Sequence, residues 1–116
     1  MCGIFGMVAP SRSRLTNHRI RKITDTLFRL SESRGKESSG LAVASGNRIT
    51  VCKAQEPASA FIRRPVYREL ILSMTPPFAI IGHARLVTNG PAEYNRNNQP
   101  VIKDGIVGIH NGIITN

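Results

Sequence analysis

Cys2 sits where removal of one methionine would make it the first residue of the chain. Its thiol and the freed α-amine would then share one residue, a nucleophile beside a base. A free α-amine has a pKa of about 7.7–8.0 and a cysteine thiol one of about 8.5. The amine is therefore partly neutral near physiological pH and can take the thiol proton, directly or through a water. No internal cysteine can be arranged this way. Taken alone, Cys2 reads first as a small buried hydrophobe, the usual fate of a free cysteine. Other residues of the chain reverse that preference.

Three further stretches could build a site around it. Arg85 ends an apolar run, where a guanidinium is well placed to hold a carboxylate in a bidentate fork. Its bland alternative is a structural ion pair. Asn111-Gly112 could aim a side-chain amide and a glycine N–H at one point, as an oxyanion hole does. Asn-Gly is also a common type I′ turn. The loop Arg34 to Gly40 is glycine-rich enough for backbone to approach a ligand, a weak signal by itself. His83 and His110 read as structural residues at strand ends, since the amine of Cys2 already supplies a base.

These residues need elements to hold them. Ile4 to Ala9 reads as a short buried strand with Cys2 at its mouth. Thr16 or Asn17 can cap a helix whose Ile20, Ile23, Leu27 and Leu30 recur at helical spacing, ending near Ser33 with Gly35 as the left-handed stop. Leu41 to Ser45 and Arg48 to Lys53 read as strands joined by the hairpin signal Gly46-Asn47, with Cys52 a structural residue of the second. Gln55 to Ser59 reads as a loop. Pro65 suits a first helical turn, with Val66, Leu70, Ile71 and Met74 as the apolar face and Pro76-Pro77 as the stop. Phe78 to Ile81 is a continuous apolar run that suits a strand buried on both faces, running into Gly82-His83-Ala84-Arg85. Pro91 to Pro100 reads as a loop, and Val101-Ile102, Lys103-Asp104-Gly105 and Ile106 to Ile109 as a second hairpin. Strands outnumber helices and come as hairpins, which points to an α+β fold.

Bulk composition narrows the classes. The 116 residues suffice for one small domain, and 41% apolar with 20% charged content is ordinary for a folded core. No run approaches the roughly 20 apolar residues that span a bilayer, and two cysteines make neither a disulfide framework nor a zinc site. The expectation is a cytoplasmic protein with reduced thiols and no membrane partner. The net charge of +9 raises nucleic-acid binding, but aromatic content is only 5% and no RNA- or DNA-binding signature is present, so nucleic acid is not expected as a partner. A solvated helix face or a patch for an acidic segment accounts for the charge.

Met1-Cys2-Gly3-Ile4-Phe5-Gly6, Arg34-Gly35-x-x-Ser38-x-Gly40, Gly82-His83-x-Arg85-x-x-Thr88-x-Gly90, Asn98-x-Pro100 and His110-Asn111-Gly112-Ile113-Ile114-x-Asn116 follow one another in order. Together they resemble the glutaminase domain of the class II glutamine amidotransferases, which are N-terminal-nucleophile (Ntn) hydrolases. Each motif is weak, but five in sequence over the full chain are specific. The resemblance implies a four-layer αββα sandwich of two antiparallel sheets. It implies that Cys2, freed of Met1, attacks the side-chain amide of L-glutamine with its own α-amine as base. Asn111 and Gly112 would stabilise the oxyanion. Arg85 would hold the α-carboxylate, and Thr88, Asn89 and Gly90 would line or close over the substrate. Ammonia would pass to an accepting synthase or transferase domain or subunit, a γ-glutamyl thioester would hydrolyse to glutamate, and no metal or organic cofactor is implied.

The pattern departs from the family in its remainder. The family's domain continues past the last motif and includes an aspartate for the glutamine α-amine. Asp104 precedes the oxyanion motif as a turn residue and does not replace it. The expectation is therefore a domain truncated on its C-terminal side, which a second chain or self-association completes, with open strand edges and an exposed apolar face. The acceptor is open among a sugar phosphate, phosphoribosyl pyrophosphate, aspartyl adenylate and 2-oxoglutarate, the last motif leaning toward the first two. A non-catalytic module for glutamine sensing or assembly is the alternative reading.

Overall fold

The computed structural model of the chain describes residues 1–87 and 94–112. Its elements are β1 (Gly3–Ala9), α1 (Asn17–Glu32), β2 (Ser38–Ser45), β3 (Arg48–Ala54), α2 (Ala58–Phe61), α3 (Pro65–Ser73), β4 (Phe78–Arg85), a 3₁₀ turn (Asn95–Asn97), β5 (Val101–Lys103) and β6 (Ile106–Gly108). This is an α+β protein. Strands β1 to β4 form one sheet in the order β1-β4-β2-β3, with every neighbouring pair antiparallel. Strands β5 and β6 form a separate two-stranded ribbon, whose turn residues Asp104 and Gly105 both take positive φ (51° and 77°), as a type I′ turn requires.

The three helices cover one face of the main sheet. Phe5, Met7, Leu41, Val43, Cys52, Phe78 and Ile80 alternate onto that face and pack with Ile20, Phe28, Phe61, Tyr67, Ile71 and Met74. The Phe28 ring lies edge-on to Phe5, Phe61 and Tyr67, with centroids 4.8, 5.2 and 5.7 Å away. Thr16 caps α1 by accepting the Arg19 N–H at 3.2 Å. Asn17 ties that end of α1 to the end of α3, its Nδ2 donating to the Met74 carbonyl at 2.7 Å. Tyr67 donates its hydroxyl proton to Asp25 Oδ1 at 2.7 Å, and burial first, then this bond, pushes its pKa up.

Several local expectations change. The buried stripe of α1 is Ile20, Thr24, Phe28 and Ser31, while Leu30 is 69% exposed. The stripe is turned about one residue from the aliphatic one, because Phe28 offers more area to the core than Leu27 or Leu30. The same happens in α3, where Tyr67 takes the place expected of Val66. Ala58–Phe61 forms a short helix inside the expected loop. The loop after α1 is shorter than expected, since Ser38, Ser39 and Gly40 already belong to β2. Gly35 does not take the left-handed stop; the cap is Ser33 in right-handed geometry. Gly35 is needed for closeness instead, because a Cβ there would collide with the Arg85 carbonyl group. In β4, Ala79 and Ile81 are only half-buried, so the strand is covered on both faces from Gly82 onward but not before.

The second face of the sheet follows from the register, since directly paired residues share a face. Ile4, His83 and Gly40 align there, beside the pair Ser38 and Arg85. Toward the hairpin end the face is apolar and open, with Val8 and Ile49 78% and 51% exposed; Ile4, at the opposite end of β1, is 49% exposed. At the other end, residues 98–100 cross it as a strap.

Candidate active site

The site residues gather where β1 begins, β4 ends and the strap crosses. Cys2 stands one residue ahead of β1 and is 7% exposed. Its sulfur meets the backbone just past β4: the Leu86 N–H donates to Cys2 Sγ at 3.3 Å, and the thiol faces the Leu86 carbonyl at 3.5 Å. The β1–β4 pairing enforces this approach, because Gly3 aligns with Ala84. A cleft of about 330 Å³ opens beside the thiol, between the β1 edge and the C-terminal half of α1. Cys2, Ser31, Arg34 and Asn111 are among the residues that line it. The volume is at the small end of the range for ligand sites. The expected nucleophile and one expected oxyanion donor thus share a cavity. Gly112 follows with φ +138°, exposed beside the His110 ring.

Arg85 does not line that cleft. It is 4% exposed, on the second face of the sheet, directly opposite Ser38 of β2. Its Nη1 donates to Asn98 Oδ1 at 2.9 Å, and Asn98 Nδ2 in turn donates to Asn95 Oδ1 at 3.2 Å. Its own carbonyl accepts the Glu37 N–H at 3.1 Å, which docks the Arg34 to Gly40 stretch against the end of β4. Chain connection to Leu86 keeps the guanidinium's strand beside Cys2. Thr88, Asn89 and Gly90 lie outside the described residues.

The strap is gripped from three strands. Arg85 of β4 holds Asn98, and Lys53 of β3 donates to the Asn98 and Pro100 carbonyls at 2.9 and 3.1 Å. Gly40 of β2 lets the strap pass, since a Cβ there would collide with the Gln99 carbonyl oxygen. Burial lowers the Lys53 pKa. His83, fully buried opposite Gly40, places Nε2 3.2 Å from the His110 carbonyl oxygen. Burial, which disfavours the charged imidazolium, is the main cause of its lowered pKa; the hydrogen bond to the His110 carbonyl works against it, and repulsion from Arg85 and the His110 ring adds to it.

Asn98 was visible in the sequence only as part of a motif, without a role, and Gln99 only as the unspecified position inside it. Their signal was a pair of amides just before a hairpin. The contact of Leu86 with Cys2 is through backbone and leaves no trace in residue type.

Comparison with known proteins follows the same line. The full chain is 32% identical over 117 residues to the glutamine–fructose-6-phosphate aminotransferase (isomerizing) of Sulfolobus acidocaldarius, covering 18% of that protein. It is 28% identical over 117 residues to the enzyme of the same name from Sulfurisphaera tokodaii, again covering 18% of it. Over 120 residues, 99% of the chain is 31% identical to the amidophosphoribosyltransferase of Mycobacterium bovis, of which it covers 20%. No family model matches the chain, and no solved structure matches it significantly. Both kinds of relative are glutamine amidotransferases. Over its whole length the chain is similar to the N-terminal domain of these class II, N-terminal-nucleophile glutamine amidotransferases. It spans about a fifth of the length of the curated relatives it matches. Among the described residues, no helix is long and apolar enough to cross a membrane.

Proposed function

We propose that this chain carries the glutaminase half-reaction of a class II amidotransferase, with Cys2 as nucleophile once Met1 is removed. The observation that carries the reading is the Cys2 thiol, held 3.3 Å from the Leu86 N–H at a cleft it shares with Asn111. The α-amine of Cys2 takes the thiol proton as sulfur bonds to the γ-amide carbon of glutamine. Asn111 Nδ2 and the Gly112 N–H receive the oxyanion. The amine returns the proton to the leaving nitrogen, the C–N bond breaks and ammonia departs. Water then attacks the γ-glutamyl thioester, releasing glutamate and restoring the thiol. Arg85 receives the α-carboxylate, exchanging some of its hold on Asn98 for a charge-assisted pair. Thr88, Asn89 and Gly90 complete the substrate's surroundings.

The ammonia acceptor is a phosphorylated sugar or its pyrophosphate, held by a synthase or transferase domain; the names of the matched relatives support this. The sheet belongs to an αββα sandwich, and the open apolar face bearing Ile4, Val8 and Ile49 is complementary to a second sheet. The reading places the protein in the cytoplasm, with both cysteines reduced.

Intact mass before and after exposure to an electrophilic glutamine analogue tests the reading. The expected result is loss of Met1 and one adduct, absent in Cys2→Ala. An adduct that persists in Cys2→Ala, or a Met1-free chain of the intact protein that takes none, sinks it.

A further inference from the structure

One residue ahead of the proposed oxyanion pair, the backbone is clamped from both sides. The His110 N–H donates to Gln99 Oε1 at 2.5 Å. The His110 carbonyl meets His83 Nε2 at 3.2 Å. These two groups belong to the two peptide planes that flank the His110 Cα. Fixing both sets the direction in which the chain leaves toward Asn111. The clamp's two jaws come from elements that are themselves immobilised. His83 is fully buried in the central strand β4, and Gln99 lies on the strap that Arg85, Lys53 and Gly40 seat against the sheet.

We propose that His83 and Gln99 are positioning residues for the oxyanion pair, and that His83 acts as a neutral imidazole with its proton on Nε2. The proposal rests on the glutaminase reading given above. A carbonyl oxygen only accepts, so Nε2 must donate. Nδ1 is then a bare lone pair, and it is buried without a hydrogen-bond partner among the described residues. The lowered pKa of His83 agrees with a ring that stays neutral. Asn98 and Gln99 are adjacent, so one strap holds both the guanidinium meant for the carboxylate and the peptide that aims the oxyanion donors. Neither His83 nor Gln99 touches the cleft, so each acts through His110.

Two measurements on the intact protein test this. Nitrogen NMR of the His83 ring at neutral pH should show the proton on Nε2; a proton on Nδ1 overturns the clamp whether or not the protein is active. In glutamine hydrolysis, His83→Leu and Gln99→Met should each lower kcat by about 10²-fold, the scale set by misplacing oxyanion donors by an ångström. KM for glutamine should stay within about threefold, because the oxyanion forms only in the transition state. His83→Gln, which keeps an N–H at similar reach, should recover most of the rate. A parental kcat in His83→Leu, or a loss that falls on KM, overturns the proposal. Failure of the parent protein to take an adduct at Cys2 would instead count against the glutaminase reading.

Discussion

The two faces of the main sheet are made by the same four strands and are treated in opposite ways. The helix-covered face is apolar, closed and centred on Phe28. The other face divides along its length. Its far end is apolar and open at Val8 and Ile49, and its near end is polar and shut beneath the strap. Two buried side-chain polar atoms lack a partner among the described residues, Ser38 Oγ and His83 Nδ1. Both belong to residues of the near end of the second face, flanking Arg85 in the register. Buried polar groups are nearly always satisfied, and these two exceptions fall together at one end of the face. One face holds the core, and the other is polar and strapped at one end and apolar and open at the other.

Breaking the helix-covered face should have the largest effect. Phe28→Ala removes the ring that Phe5, Phe61 and Tyr67 pack against, and should cost about 3–5 kcal/mol in a denaturant titration. That is a large share of the roughly 5–15 kcal/mol that a domain has. A loss under about 1 kcal/mol, the ordinary scale of a point substitution, would mean the aromatic cluster is not the centre of the core. Next comes the strap. Gly40→Ala puts a methyl against the Gln99 carbonyl oxygen and should cost about 1–3 kcal/mol, the usual scale of overpacking. It should also loosen His110, so glutamine hydrolysis should fall further than the stability loss alone explains. Parental activity in the Gly40→Ala variant would separate the strap from the site.

The two faces also differ in how well the sequence foretold them. Hairpins, caps and the α+β class were legible because they depend on local chemistry: Thr16 at a helix start, Gly46 at a turn, Pro65 at a first helical position. The positions of the helical stripes were less so. Aliphatic spacing pointed to Leu30 and Val66, and the core chose Phe28 and Tyr67, since large rings outweigh a residue's worth of helix rotation. At the site, Cys2 and Asn111 line one cleft. The partners that hold them did not show, because they act through backbone or across long separations. Leu86 reaches Cys2 through its peptide, and Gln99 reaches His110 around a whole hairpin. Gly35 read as a helix stop and Gly40 as part of a loop open to a ligand, and both are points of close approach between backbones.

The smallest expected effect is on the open end of the second face, and it decides how that face is used. Val8 is 78% exposed in the isolated chain, so Val8→Lys should change the stability of the 116-residue polypeptide by no more than about 0.5 kcal/mol. The result should not depend on protein concentration. If another copy of the chain covers the face, the loss will exceed this and grow as the parent is concentrated, because association stabilises only what associates. If a second sheet covers it in a longer protein, the same substitution there will cost more than in the 116 residues alone, since it buries an ammonium in an apolar interface. Measured side by side at two concentrations and two chain lengths, Val8→Lys distinguishes an open face, a self-paired face and the inner layer of a sandwich.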